Sequence, residues 1–133
     1  MDPNLVEDPY ALQRHLGFYI TDWREDYARF ELPMEEFLMN RYGILHGGVH
    51  SMMCDTAMGF AGCYTGDPEK KRLAMTLNLS VNFLGQMTGK MLIAEGFRTG
   101  GGAKTFFAEA KISDESGALA ATGTGVFRLR QGG

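Results

Sequence analysis

Residues 47–64 constrain the fold of this chain more than any other segment. Their pattern predicts a long helix on which apolar side chains occur around nearly the whole circumference: Val49, Met52, Met53, Ala57, Met58, Phe60, Ala61 and Cys63. A helix that is apolar on every side has to be enclosed by the rest of the protein. A shorter helix is predicted over residues 8–16, with Asp8 as its N-cap, Pro9 at its first position and Gly17 as its stop.

The other segments have strand patterns, and the clearest is residues 73–84. There, large apolar residues alternate with mostly small or polar ones for twelve residues, the period expected of a β-strand. Further strands are predicted at residues 18–23, 27–32, 91–98, 104–114 and 119–130, and short turns between neighbours make them antiparallel. The sequence therefore predicts an α+β fold in which an antiparallel sheet of five to six strands wraps around one long buried helix.

Length and composition narrow the class of protein. The 133 residues suit a single domain spanning residues 1–133, and 44% hydrophobic against 22% charged residues excludes a disordered chain. A net charge of -3 offers no basic surface for nucleic acid. The longest apolar run is four residues, far short of the ~18 that a membrane span needs. The N-terminus lacks the pattern of a signal peptide, so we expect a cytoplasmic protein without nucleic-acid or membrane partners.

Two features of the long helix point to chemistry. Gly47 and Gly48 open it, so that unobstructed backbone N–H groups lie at the positive end of the helix dipole, where an oxyanion can bind. Asp55 lies in the middle of the same helix, where a carboxylate is costly to bury without a partner. A tight turn and a structural hydrogen bond are the respective alternatives. Because Asp55 lies eight residues beyond Gly47, or ~12 Å along the axis, the two can act on one atom only if they come from different chains.

A metal site has to be weighed because His46, His50 and Cys54 follow each other at four-residue spacing. No carboxylate shares that face, so we expect no metal. Cys54 has no evident basic partner and is expected to be a buried, reduced thiol like Cys63, while His15 and His50 are expected to be structural or exposed.

The run Gly43-Ile44-Leu45-His46-Gly47-Gly48, with an aspartate nine residues after the histidine, resembles the hotdog-fold acyl-CoA thioesterases of the phenylacetate-degradation type. The resemblance covers about residues 40–130. It implies that Asp55 activates water or attacks the thioester carbonyl, and that the Gly47 N–H polarises the thioester oxygen. It further implies that His46 and Asn40 orient the substrate and water, and that the Thr76 hydroxyl helps to place the water.

The same resemblance implies an acyl-CoA substrate, with coenzyme A as part of the substrate and no separate cofactor. It also implies a homodimer or homotetramer in which two chains share each active site. The candidate substrate-binding residues are Gly48 at the helix start and four cationic residues, Lys71, Arg72, Arg98 and Lys104. Cationic groups suit the phosphates of coenzyme A. The loop Gly85-Gln86-Met87 replaces a segment that often contains proline and that borders the acyl or pantetheine channel in relatives. Phe60, Tyr64 and Phe83 are candidates for an aromatic pocket or for the core.

Four questions stay open on the sequence. Asp55 can be a general base or a nucleophile, and the acyl group can be short, long or aromatic. The protein can also be a non-catalytic acyl-CoA sensor or carrier. Finally, it can be a dehydratase of 3-hydroxyacyl thioesters, in which His46 would have to be the base.

Overall fold

The computed structural model describes residues 1–131, so the last two residues of the predicted domain, 132 and 133, lie outside the described part. The described residues form two helices, α1 (Ala11–Leu16) and α2 (Gly47–Ala61), two short 3-10 turns and six strands. The strands are β1 (Tyr19–Arg24), β2 (Tyr27–Pro33), β3 (Arg72–Phe83), β4 (Met91–Gly101), β5 (Thr105–Asp114) and β6 (Leu119–Gln131).

The six strands form one antiparallel sheet in the order β1-β2-β4-β5-β6-β3. Helix α2 contacts all six strands, and the fully buried side chains lie between helix and sheet. At Gly96 a side chain would overlap the backbone of Ala57, so this glycine lets β4 approach the helix closely. The predicted α+β fold, a sheet wrapped around one buried helix, is confirmed.

Helix α2 begins at the predicted residue but ends at Ala61 rather than at residue 64. The backbone oxygen of Phe60 accepts hydrogen bonds from the Trp23 indole N–H at 2.9 Å and from the Cys63 N–H at 3.0 Å. These contacts close the helix early, and Gly62 takes the C-cap position.

The predicted start of α1 is wrong by two residues. The helix begins at Ala11, and Tyr10 rather than Asp8 is its N-cap. The side chain of Gln13 accepts a hydrogen bond from the Tyr10 N–H, and the Tyr10 ring lies edge-on to Phe18. Both contacts fix Tyr10 in an extended conformation, so the segment before it cannot continue the helix. The predicted stop at Gly17, which has a positive φ of 90°, is confirmed.

The unbroken alternation predicted for residues 73–84 is also wrong. The pairing of β3 with β6 shifts by one residue between Thr76 and Asn78, which leaves a bulge at Leu77. A bulge reverses which side chains face the core. Thr76 before the bulge and Leu79 after it therefore both face α2, whereas Leu73 and Met75 are 46% and 45% exposed.

No helix within residues 1–131 is long and apolar enough to span a membrane. Both cysteines are buried and unpaired with each other, as predicted.

Candidate active site

Among the described residues, Thr76 is the only one whose side chain hydrogen-bonds to the Asp55 carboxylate. The Thr76 hydroxyl, on β3, donates to Oδ1 of Asp55, on α2, at 2.6 Å. The bulge at Leu77 makes this contact possible, because it puts Thr76 and the later core residues of β3 on the same face. The hydroxyl uses its one hydrogen in this bond, and its oxygen can still accept a hydrogen bond from a water molecule.

The pair opens into a cavity of about 220 Å³, which we term the Asp55 cavity. One wall is aromatic and consists of Trp23, Phe60 and Phe127. The polar rim contains Glu7, Tyr10, Thr56 and Arg72. This volume is below the 300–1,000 Å³ of most complete small-molecule sites, so the cavity holds only part of a large ligand.

Tyr10 places a neutral phenol at the rim of the Asp55 cavity. Burial raises the pKa of the Tyr10 hydroxyl. A hydrogen bond with the Thr56 side chain lowers this pKa, whereas the negative charges of Asp55 and Glu7 raise it further, and the net shift is upward. The phenol therefore stays protonated at neutral pH and keeps a hydrogen-bond donor near the carboxylate.

The start of α2 is held by His46. Its Nδ1 accepts a hydrogen bond from the Gly48 N–H at 2.8 Å, so His46 is the N-cap of the helix and the Gly48 N–H is already occupied. Within the described residues the Gly47 N–H has no such acceptor. Of the two glycines, Gly47 is therefore the one whose N–H can bind a ligand oxygen.

Gly47 faces a second cavity, also about 220 Å³ in volume, which we term the Gly47 cavity. Its lining contains no acidic or basic side chain other than His50, and consists of Asn40, Ile44, Leu45, Gly47, His50, Phe83, Gly85, Gln86 and Met87. Oδ1 of Asn40 accepts hydrogen bonds from the N–H groups of Tyr42 and Ile44, at 2.9 and 3.4 Å. These bonds fix the loop before α2 and leave the Nδ2 amide of Asn40 as the group that can donate to a ligand.

The two cavities lie at different places along α2 and share none of the described lining residues. Eight residues separate Gly47 from Asp55 on this regular helix, which corresponds to ~12 Å. The candidate oxyanion donor and the candidate base of one chain therefore cannot contact the same carbonyl group.

The predicted coenzyme A contacts fall into two groups. Arg72 lines the Asp55 cavity and, with Lys71, an adjoining cavity of about 160 Å³ that also contains Tyr64. Lys71 lies 4.0 Å from the carboxylate of Glu7. Arg98 lies against the Phe106 ring and donates to the Gly102 backbone oxygen, and Lys104 lies in the β4–β5 turn. Neither Arg98 nor Lys104 lines any of these three cavities.

The structure does not bring His46, His50 and Cys54 together in one cluster. His46 is exposed at the helix start, whereas His50 and Cys54 are buried. No cluster of three or more potential metal ligands occurs within residues 1–131. Burial, with a smaller effect of Asp55, raises the pKa of the Cys54 thiol to about 12, so this side chain is not a thiolate nucleophile at neutral pH.

The structure also adds lining residues that the sequence did not single out. Tyr10 and Trp23 reach the Asp55 cavity from the N-terminal part of the chain, and no local pattern connects them to α2. His50 lines the Gly47 cavity, and its three-residue spacing from Gly47 on one helix was a signal that could have indicated this. Phe60 and Phe83 each line one cavity, and the loop of residues 85–87 borders the Gly47 cavity.

Comparison with known structures supports the fold over nearly the whole chain. A conserved protein of Pseudomonas aeruginosa is 22% identical, with a TM-score of 0.83 over 97% of this chain and 98% of that one. A thioesterase of Haemophilus influenzae is 18% identical, with a TM-score of 0.77 over 96% and 95%. The PaaI protein of the phenylacetic acid degradation operon of E. coli is 20% identical, with a TM-score of 0.78 over 93% and 86%.

Sequence comparison identifies the family. A Haemophilus influenzae protein that carries the provisional name of esterase is 30% identical over 64 residues, which are 48% of this chain and 46% of that protein. The match thus spans about half the length of this curated relative. The model of the Thioesterase superfamily matches residues 42–121, which is more than half of the chain and includes His46, Gly47, Asp55 and Thr76. The resemblance to hotdog-fold thioesterases is confirmed, and the chain belongs to the thioesterase superfamily.

Proposed function

We propose that this protein is an acyl-CoA thioesterase, which hydrolyses a thioester to a free carboxylic acid and coenzyme A. The observation that carries the proposal is the Asp55 carboxylate, which opens into a cavity while the Thr76 hydroxyl donates to one of its oxygens at 2.6 Å. This hydrogen bond fixes the orientation of the carboxylate, and both groups can then hold a water molecule. Membership of the thioesterase superfamily fits the same chemistry.

As a general base, Asp55 takes a proton from water while the water oxygen attacks the thioester carbonyl carbon. The carbonyl oxygen becomes an oxyanion, which the Gly47 N–H of a second copy stabilises. When the tetrahedral intermediate collapses, the C–S bond breaks and the thiolate leaves. The proton held by Asp55 then goes to that sulfur, so that an acid and a thiol are the products. As a nucleophile, Asp55 would instead attack the carbonyl carbon and expel the coenzyme A thiolate as the C–S bond breaks, which forms a mixed anhydride. Water then hydrolyses this anhydride, so that the acid is released, the Asp55 carboxylate is restored and the thiolate takes up the proton from water.

The shared site requires self-association, and β3 is the surface that favours it. This strand is one of the two edges of the sheet and is twelve residues long. An edge strand presents unpaired backbone N–H and C=O groups that can pair with another chain. Exposed Leu73, Met75 and Leu77 add apolar side chains to the same edge. We therefore propose a homodimer, or a homotetramer built from such dimers, in which Asp55 of one chain and Gly47 of the other flank the substrate.

The charge distribution suggests where coenzyme A lies. Arg72 and Lys71 lie in or beside the Asp55 cavity, where they can bind the coenzyme A phosphates. Arg98 and Lys104 remain weaker candidates, because they line none of the cavities described here. A cytoplasmic location remains a prediction, and the proposed reaction needs no metal or separate cofactor.

The hydrogen bond at His46 disfavours the alternative function, a dehydratase of 3-hydroxyacyl thioesters. Because Nδ1 of His46 accepts the Gly48 N–H, the neutral ring carries its proton on Nε2. Neither nitrogen then has a free lone pair, so His46 is poorly suited to be a base. A non-catalytic acyl-CoA sensor has the same binding groups and differs only in turnover.

Thiol release from short, long and aromatic acyl-CoA thioesters tests the proposal. We expect catalytic turnover with at least one class, lost in Asp55→Asn and retained after prolonged chelation. Binding without thiol release would favour a sensor or carrier. An α,β-unsaturated product formed without free thiol would favour a dehydratase.

A further inference from the structure

The Gly47 cavity contains one buried polar side chain without a partner. His50 is 4% exposed, and its Nδ1 makes no hydrogen bond to any of the described residues. Its ring lies edge-on to Phe83, with 5.8 Å between the ring centroids. Most buried polar atoms in proteins have a hydrogen-bond partner, so this imidazole calls for an explanation.

We expect the imidazole of His50 to be neutral at pH 7. Burial lowers its pKa, and no acidic side chain lines the Gly47 cavity to counter that effect. A neutral imidazole has one nitrogen that donates and one that accepts. A ligand hydroxyl can do both, so it fits Nδ1 in either tautomer, whereas an anionic group would find no cationic side chain in this lining.

The position of His50 relates it to the reacting carbonyl group. Residues three apart lie on the same face of a helix, and His50 is ~4.5 Å beyond Gly47 along the axis. Both residues line the Gly47 cavity, so a ligand whose thioester oxygen accepts from the Gly47 N–H extends along the wall that contains His50. A hydroxyl on the third acyl carbon, a few bonds from that oxygen, is the polar group that we match to His50.

Charge indicates which end of the substrate enters this cavity. The Asp55 cavity and its neighbour contain Arg72 and Lys71 beside Glu7, and these two cations suit the phosphates of coenzyme A. The Gly47 cavity contains no lysine or arginine, and Ile44, Leu45 and Met87 make much of it apolar. It is therefore suited to the acyl group, and its volume of about 220 Å³ favours a short one.

Resting on the thioesterase function proposed above, we propose that His50 is a specificity-determining residue that selects short 3-hydroxyacyl-CoA thioesters. Its imidazole hydrogen-bonds the 3-hydroxyl group, while the thioester oxygen is bound at Gly47. A site built to hydrogen-bond a substrate hydroxyl discriminates strongly against the analogue that lacks it, because the buried polar group then stays unpaired.

The test compares 3-hydroxybutyryl-CoA with butyryl-CoA in the wild-type protein and three variants. His50→Phe keeps an aromatic ring against Phe83 but cannot hydrogen-bond, and His50→Asn keeps a polar group near the position of Nδ1. We expect the wild-type kcat/KM to favour the hydroxy substrate by about tenfold or more. His50→Phe should lose most of this preference, His50→Asn should keep part of it, and His15→Phe, on exposed α1, should keep all of it.

Equal kcat/KM for the two substrates in the wild-type protein would overturn the inference. So would an unchanged ratio in His50→Phe, or a loss of both activities in proportion, which would indicate a structural role. Calorimetric affinities of the same two thioesters separate this inference from the proposed function. Absence of thiol release would refute the thioesterase, whereas equal affinities for both thioesters in wild type and variants would refute the role of His50.

Discussion

The Asp55 cavity and the Gly47 cavity have nearly the same volume but opposite chemistry. The first contains a carboxylate, a hydroxyl that orients it, and a polar rim in which Arg72 lies with Glu7. The second contains a free helix N–H and a neutral histidine, and has no lysine, arginine or carboxylate in its lining. One can activate water and bind a phosphate-bearing group, and the other can stabilise an oxyanion and enclose an acyl group. Each cavity lacks what the other supplies, as expected if the two cavities are the two halves of the shared site proposed above.

Among the changes that test this difference between the cavities, loss of the Asp55 carboxylate should lower the activity most. Asp55→Asn removes the group that accepts a proton or attacks, so kcat should fall by roughly 10²- to 10⁴-fold. KM should change much less, because the amide has nearly the same shape. Steady-state kinetics on the best acyl-CoA substrate checks this, with Asp22→Asn on β1 as a matched control. Near-normal turnover in folded Asp55→Asn would leave the Asp55 cavity with a structural role only.

Removing the Gly47 N–H tests the other cavity. Proline is well tolerated at the first position of a helix, and His46 before it is already extended at φ -62° and ψ 134°. Gly47→Pro should therefore keep the helix but lower kcat by about 10²- to 10³-fold, the effect of losing an oxyanion donor.

The matched control for this variant is Gly47→Ala. A Cβ at residue 47 would lie 3.4 Å from the Phe83 ring, which is a tight contact, but the N–H would remain. If Gly47→Ala lost as much activity as Gly47→Pro, crowding rather than the missing donor would be the cause.

A substitution at Thr76 tests whether its hydroxyl orients the Asp55 carboxylate. Thr76→Val keeps the shape of the side chain but removes the hydroxyl that donates to Asp55. We expect kcat to fall about tenfold, in the range of one hydrogen bond to a charged group, and Thr76→Ser to restore most of it. A valine variant as active as wild type would show that Asp55 needs no orienting partner.

The smallest effect on activity is expected at Cys54, which is buried in the core and lines neither cavity. Its thiol is buried with a pKa raised to about 12, so it should resist alkylation in the folded protein at pH 8. Cys54→Ala should keep kcat and lose about 1 kcal/mol of unfolding free energy, because it leaves a small void beside Gly123. Denaturant unfolding and thiol assays measure both. Fast alkylation with loss of activity would give this thiol a role that the structure does not indicate.

The sequence predicted the parts of the molecule whose signals are local. The all-round apolar pattern of residues 47–64 identified α2, and the Gly-Gly start and the position of Asp55 indicated the two candidate parts of the proposed site. The ~12 Å separation followed from helix geometry alone.

What the sequence did not predict depends on contacts between distant segments. The bulge at Leu77 has no local signal, because it is fixed by pairing with β6, and it turns Leu73 and Met75 outward. The early end of α2 depends on Trp23, 37 residues away from Phe60. His50 looked structural until the fold placed it in the Gly47 cavity with Phe83.

Mixing two inactive variants tests the central claim, that Asp55 of one chain works with Gly47 of another. Asp55→Asn and Gly47→Pro are unfolded and refolded together in equal amounts, and mass spectrometry confirms mixed dimers. Random pairing makes half of the dimers mixed, and each of these has one intact and one doubly damaged site. The account predicts recovery of roughly a quarter of the wild-type activity per chain. If mixed dimers form and activity stays at the level of the separate variants, the two groups do not come from different chains and the account is wrong.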